Sequence, residues 1–578
     1  MRKSVLLGLL IALASTPAAQ ARLPSCSPEN DIRGVSVVAD NPQMMAIGDS
    51  LYNGVESLSI TGAKAGLSIP KLVADHLSVP LNEPQYDRPI LVDLDRELLR
   101  SWLDVVGNLG KNALTNIAAN ADPKNPNFPK LTPPTLKFFD NIAVAQADSV
   151  ALICDNAGDA DSFIAPYYPT SGGGPLKPIP MESFNIPQGV ENWFYDLNSR
   201  FILNPTLHPQ YNGLSQLDEV LLRKPRTLLI NIGSNDGVWL MAFDGYSPTT
   251  CYLPGVTDDP IAPCGSSTTT VKKESGDLVA NMGMIAQLLN RHSPQTKVLV
   301  NLLPRPSAAA NLQPRGDARL ASDQSYFANY ENYFGTGGIR HIAGSDVKAM
   351  DDLADATNAG IVRSMCSTLG PENVAFVDLF SLLKSYDHKN DPAAKTVTVN
   401  LYLAGEWGPA TLNNDIVNIG PMTGDTGFYL GDGGLFSYDN MHPTAFGYTL
   451  VANAVLNAIG KAPPASGCTV LADDTPQISY QSIAYRLHPP DGSQPPIPTA
   501  LDIDGGTRDL LELVHALLVS ENPSGVPAPE RSATALSLGT GTGPSGNMRS
   551  QAQHSFHALF RMGGYPAARW HRHNLTHR

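Results

Sequence analysis

The amino-acid sequence predicts an α/β fold built on a mostly parallel sheet with helices on both faces. Three observations carry that expectation. Short apolar runs recur and end in polar or glycine-bearing loops. The stretches between them place apolar residues at helical spacing. The composition, 42 % hydrophobic and 16 % charged over 578 residues, is that of a chain with a core, not of a disordered segment or a coiled coil.

The expected strands lie at 44–48, 227–233, 298–303 and 374–380. Each is apolar almost throughout, as a strand covered on both faces must be, because neither row of side chains meets water. The expected helices lie at 278–289, 347–353 and 445–459, where the apolar residues return at three- and four-residue intervals. Strand and helix signals alternate along the chain, which favours crossover connections and a parallel sheet. No internal repeat is evident. The length allows one large domain or several ordinary ones.

The two ends read differently from the middle. Residues 1–21 have the pattern of a signal peptide: Arg2 and Lys3, an apolar region at 5–14, and Ala19-Gln20-Ala21 as a small-residue cleavage site. That apolar region is too short to span a bilayer, and no later stretch reaches about 18 apolar residues. The mature chain is expected to begin at Arg22 and to work outside the cytoplasm, secreted or periplasmic. At the other end, residues 531–578 carry six arginines and no acid, against a net charge of −14 for the whole chain. That overall charge argues against a nucleic-acid binder with a broad basic surface. Residues 468–578 read as a Pro/Gly/Ser-rich linker and basic tail, with one helix-like stretch at 507–518. The folded domain is therefore expected to occupy 22–467, enlarged by insertions around 52–140 and 160–225.

Six cysteines (Cys26, Cys154, Cys251, Cys264, Cys366 and Cys468) suit up to three disulfides in an exported chain. Cys251 and Cys264 flank a Pro/Gly/Asp loop and form the preferred local pair. No CxxC or Cys/His spacing of a zinc site occurs, and no metal is expected. Residues 163–211 hold nine aromatics among Pro and Gly. Two readings stay open there: a cap lining an apolar substrate site, or an insertion whose aromatics fix it to the body.

Three motifs carry chemistry. Gly48-Asp49-Ser50-Leu51 follows an apolar run, so Ser50 stands where a strand turns into a helix and presents its hydroxyl to a crevice. The plain alternative is a turn with Ser50 as helix cap. Gly233-Ser234-Asn235-Asp236 closes the second run, where an asparagine amide can donate to a developing oxyanion; an Asx turn is the plain alternative. Asp439-Asn440-Met441-His442-Pro443-Thr444 precedes the helical stretch at 445–459. A carboxylate three residues before a histidine can hold one ring nitrogen while the other acts as base.

Taken together and in this order, the three motifs resemble the GDSL/SGNH hydrolase family. The flanks Gly433-Gly434-Leu435-Phe436-Ser437-Tyr438 and Pro443-Thr444 look like those of its final block. The resemblance implies a three-layer α/β/α sandwich and hydrolysis of carboxylic esters, with Ser50 as nucleophile, His442 as base and Asp439 as its orienting partner. It implies an oxyanion hole made by Ser50, Asn235 and a residue of the family's glycine block, and it requires no cofactor. The best match to that block, from Asn141 to Ser149, has Gln146 where glycine is usual. A backbone N–H is what the position supplies, and glutamine has one. Gly158 in Asp155-Asn156-Ala157-Gly158 is the alternative donor. An acyltransferase on the same site, a carbohydrate O-acetyl esterase and a non-catalytic binding module are the other readings. The partner is a small-molecule or lipid ester.

Other patterns fail on context. Residues 541–546 match GxGxxG, but Pro544 interrupts them and no acidic residue follows to hold a ribose. No Walker A, HExxH or GxSxG sequence occurs. His554, His557, His571, His573 and His577 read as part of a solvated tail.

Overall fold

The computed structural model describes residues 40–502, except 58, 87, 91–92, 94, 97–111, 113–114, 121–136, 165–185, 243–263, 322, 333–339, 404 and 422–427, together with residues 26, 28, 32 and 35. The readings of residues 1–21, of Cys251, of the helix-like stretch at 507–518 and of the basic tail lie outside the described residues.

In chain order, β1 (Met44–Gly48) leads into the short helices α1 (Ser50–Asn53), α2 (Gly62–Ala65) and α3 (Ile69–Leu77). Then come α4 (Ser149–Cys154), α5 (Ala157–Ile164), α6 (Ile186–Leu203), α7 (Gln216–Arg223) and β2 (Thr227–Asn231). The long α8 (Cys264–His292) delivers β3 (Lys297–Asn301), and the antiparallel strands β4 (Leu312–Leu320), β5 (Asp323–Asn332) and β6 (Arg340–Ala343) precede α9 (Gly344–Leu369). β7 (Val374–Val377) stops where Asp378 accepts from the Ser381 N–H and starts α10 (Leu379–Ser385). Two hairpins, β8 (Val397–Leu403) with β9 (Glu406–Leu412) and β10 (Asn418–Pro421) with β11 (Phe428–Asp432), come before α11 (Ala445–Ala458), β12 (Thr469–Leu471) and α12 (Tyr480–Leu487).

The main sheet has the order β1-β2-β3-β7-β12, and every pairing in it is parallel. β1, β2, β3 and β7 are largely buried on both faces, whereas the edge strand β12 leaves Val470 exposed, and successive residues of β1, β2 and β3 join different apolar clusters. Met45, Ile47, Leu228, Ile230, Val298 and Val300 pack with residues of α4, α7, α8 and α9. Met44, Ala46, Leu229 and Leu299 pack with residues of α3, α10, α11 and α12. The two-residue period of a strand makes this division: a run apolar at every position feeds two cores at once. The chain is an α/β protein with a mostly parallel sheet.

Two expectations need revision. The fold does not stop at 467. β12 pairs with β7, Cys468 is bonded to Cys366 at the end of α9, and α12 buries Ile483, Ala484 and Leu487 beside α11. A three-residue strand followed by a proline-rich stretch is too short to register as periodicity, which is why composition alone placed the boundary early. The three antiparallel units were not expected either, although β8 does alternate, with Val397, Val399 and Leu401 buried and Thr398 and Asn400 exposed.

Among the aromatics of 163–211, those whose side chains are described lie inside the body. Phe201 meets Tyr86 edge-on, Tyr211 lies against Phe138, and the Tyr195 hydroxyl donates to Asp155 at 2.6 Å. Phe194 joins the cluster of Val55 and Ile60. These residues anchor the segment. A second disulfide, Cys26–Cys154, closes a separation of 128 residues and ties the start of the described chain to α4. No described helix is long and apolar enough to cross a membrane.

Candidate active site

The site forms at the carboxyl ends of β1 and β2. Residues 141–144 run parallel to β1 on the side away from β2: Ala46 bridges Asn141, and the Val144 N–H donates to the Gly48 carbonyl at 3.0 Å. The chain therefore leaves β1 toward one side and returns to the other through β2. This is the switch point at which open parallel sheets leave a crevice.

Gly48 turns the chain there. Its φ is +143°, and a Cβ would collide with the Asn231 carbonyl, so only glycine fits. Asp49 follows and is wholly buried. Its carboxylate accepts from the Leu51 N–H at 3.1 Å and from Asn231 Nδ2 at 2.7 Å. Asp49 is thus the cap of α1, and Ser50 is its first residue, 8 % exposed. The plain reading of Ser50 as the cap does not hold. Asn301 Nδ2 donates to Asn231 Oδ1 at 3.0 Å, extending the chain of polar contacts across the ends of three strands.

The loop holding Gln146 is stitched to the loop after β2. Asn235 Nδ2 donates to the Ala147 carbonyl at 2.9 Å. Asp236 accepts from the Ser149 N–H at 3.0 Å and also from the Ser149 hydroxyl. An amide carries two N–H donors, and the bond to Ala147 uses one of them. Gln146 has φ 68°, the left-handed region where glycine is at ease. The Gly158 N–H is engaged elsewhere, donating to the Asn212 carbonyl at 2.8 Å and to Asn156 Oδ1 at 3.0 Å.

The loop before α11 holds Asp439 and His442, the pair expected to supply the acid and the base. His442 Nδ1 and Asp439 Oδ2 lie 2.8 Å apart. Asp439 Oδ1 accepts from the His442 N–H at 2.8 Å, the Met441 N–H at 3.0 Å and Ser437 Oγ at 3.1 Å. Asn440, at φ 57°, makes the turn that lets a carboxylate face a ring three residues on. Burial pushes the Asp439 carboxyl upward, but the His442 ring and the His442 and Met441 N–H groups outweigh it and hold it below the ordinary carboxylate value. Asp49 goes the other way. Burial raises it to about 7, against the Leu51 and Asn231 donors and the field of His442.

Two further contacts bind this loop to the chain after α1. The Tyr448 hydroxyl donates to the Val55 carbonyl, and the Ser57 N–H donates to Ser437 Oγ at 2.9 Å. The structure therefore gathers Ser50, Gln146 and Asn235 through their loops, and ties Asp439 and His442 to the segment that follows Ser50. The sequence reading gave no role to Ser57 or Asn231, and it met Ser437 only as part of the flank of the final block. Among the described residues no group of His, Cys, Asp and Glu could hold a metal ion.

No protein-family profile matches the chain, and no curated protein matches its sequence. A solved structure that does match is the extracellular lipase from Streptomyces rimosus, at 14 % identity over 40 % of this chain and 68 % of that one. Its TM-score is 0.21, a likeness too slight to carry the fold or the chemistry.

Proposed function

We propose that this chain is an exported serine hydrolase of the GDSL/SGNH kind that cleaves carboxylic esters of lipids or short acyl groups. The observation that carries the reading is the buried His442–Asp439 pair, 2.8 Å apart, on a loop latched to the segment after Ser50. In this reading the sheet and its two helix-bearing faces are a three-layer α/β/α sandwich. The hydrolase unit runs from residue 22 past 467 to about 502, after removal of a signal peptide at 1–21.

The reaction proceeds in two halves. Ser50 Oγ attacks the ester carbonyl carbon while His442 Nε2 takes its proton. Asp439, on Nδ1, fixes the ring and offsets the imidazolium charge. The carbonyl oxygen becomes an oxyanion held by the N–H groups of Ser50 and Gln146 and by the Asn235 amide. Losing one such donor costs about 2.7–4 kcal/mol of transition-state stabilisation. Collapse breaks the bond to the alkoxy oxygen, which leaves with the proton from His442. Water, deprotonated by His442, then releases the acid from Ser50. The left-handed Gln146 and the engaged Gly158 N–H favour Gln146 as the third donor.

A panel of acyl esters of increasing chain length tests this. The unmodified chain should turn over at least one class, and Ser50→Ala should lose that turnover with its fold intact. Full activity in Ser50→Ala contradicts the assignment.

A further inference from the structure

Asp439 is fixed within its own loop by the Met441 and His442 N–H groups, but neither donor relates it to Ser50. The link to the other half of the site passes through two serines, Ser57 and Ser437, both 0 % exposed. The Ser57 N–H donates to Ser437 Oγ at 2.9 Å, Ser437 Oγ donates to Asp439 Oδ1 at 3.1 Å, and the Tyr438 N–H donates back to Ser57 Oγ at 3.4 Å. The directions are dictated by chemistry. A backbone N–H can only donate, so the Ser437 hydroxyl accepts there and spends its proton on the carboxylate. Ser57 also sits at φ 51°, a backbone state that a non-glycine residue keeps only when its surroundings hold it.

We infer that Ser437, aimed by the Ser57 N–H, is a positioning residue that sets the Asp439 carboxylate, and through it the His442 ring, against the Ser50 turn. This rests on the hydrolase reading above. The two serines are 380 residues apart in sequence, so the clasp joins the two halves of the site directly. The Tyr448–Val55 bond is a separate tether between the same halves, and Ser437→Ala leaves it in place. The other titratable groups facing the pair and the clasp are Asp49, whose carboxyl feels His442, Tyr448, which feels Glu56, Asp439 and Asp49, and Asp95, which accepts from the Ser57 hydroxyl. The Ser437 substitutions alter none of them.

The test compares Ser437→Ala, Ser437→Cys and Ser57→Gly with the unmodified chain, measuring kcat, KM and the pH dependence of kcat/KM on a short acyl ester, alongside thermal melts. Ser437→Ala takes a donor from the ionised form of Asp439. The expected result is a kcat about tenfold lower, a KM within about twofold, and an acid limb moved up by about half a pH unit. Ser437→Cys keeps the volume with a weaker donor and should shift in the same direction by less. Ser57→Gly keeps the N–H and accommodates the φ but takes the hydroxyl from the Tyr438 N–H and from Asp95, so its acid limb should move less than that of Ser437→Ala. An unmoved acid limb in folded Ser437→Ala, or in Ser437→Cys if the alanine variant does not fold, overturns the inference. So does a Ser57→Gly chain as impaired as Ser437→Ala. A chain with no ester turnover at all overturns the hydrolase reading and this inference with it, whereas turnover with an unmoved limb overturns this inference alone.

Discussion

Two aspartates, Asp49 and Asp439, are both buried and both feel the charge of His442, yet they titrate in opposite directions. Asp49 is raised to about 7, and Asp439 is held below its ordinary value. Burial pushes both upward, so burial cannot separate them. The donors do. Asp439 receives two backbone N–H groups, a hydroxyl and the histidine ring. Asp49 relies chiefly on one N–H and one amide, and its work is to cap α1 and tie it to β2. One carboxyl is built to stay charged against a histidine. The other is built to hold a turn, and near neutral pH it needs no charge to do so. Environments that drive neighbouring acids apart are how a site divides roles among like residues.

That contrast is open to attack by substitution. The largest effect belongs to the proposed nucleophile: Ser50→Ala should lower kcat by at least about 10³-fold, read by ester turnover. Next, Asp439→Asn keeps the shape but removes the charge and lets the ring take the wrong tautomer. A loss of about 10²–10⁴-fold in kcat is expected, with the chain still folded but its melting temperature lowered, because the buried donors lose an ionised acceptor. Asn235→Ala removes one oxyanion donor and should cost about 10²–10³-fold in kcat. Asp49→Asn, the mirror substitution, imitates the neutral carboxyl and should cost no more than about tenfold. If the two Asp→Asn variants were equally impaired, the division of roles would be wrong.

The smallest effects are read as stability against pH. Asp49 and Glu83, raised to about 7 and about 8, favour the folded state in their neutral forms, and burial drives both shifts. Their contribution is intact below about pH 4 and is lost as pH rises through those values. Thermal melts should therefore fall between about pH 4 and about pH 8. Glu83→Gln, which keeps partners for Ser68 and Asn141, should flatten that fall. Asp439 acts in the reverse sense, stabilising above the ordinary carboxylate value and losing that contribution as pH drops below it.

Much of this was legible in the sequence because it rests on local pattern. Uninterrupted apolar runs mark the buried parallel strands β1, β2, β3 and β7, and three- and four-residue spacing marks α8, α9 and α11. The spacing from Asp439 to His442 foretells their contact, since a single loop holds both. What stayed hidden depends on partners distant in sequence. β12 is three residues long, and only its pairing with β7 makes it a strand. Ser57 and Ser437 look like any other loop serines until the fold brings them together. Asp49 as cap in place of Ser50 was decided by the Asn231 amide, which holds the carboxylate from the next strand.

The central claim is that Ser50 is a nucleophile activated by His442 and Asp439. A fluorophosphonate probe tests it most directly, because it is attacked by an activated serine and needs no knowledge of the natural ester. Peptide mass mapping should find one probe per chain, on Ser50, with labelling abolished in Ser50→Ala and strongly slowed in His442→Ala. A folded chain that takes up no probe, or carries it elsewhere with Ser50 unmodified, would contradict the account.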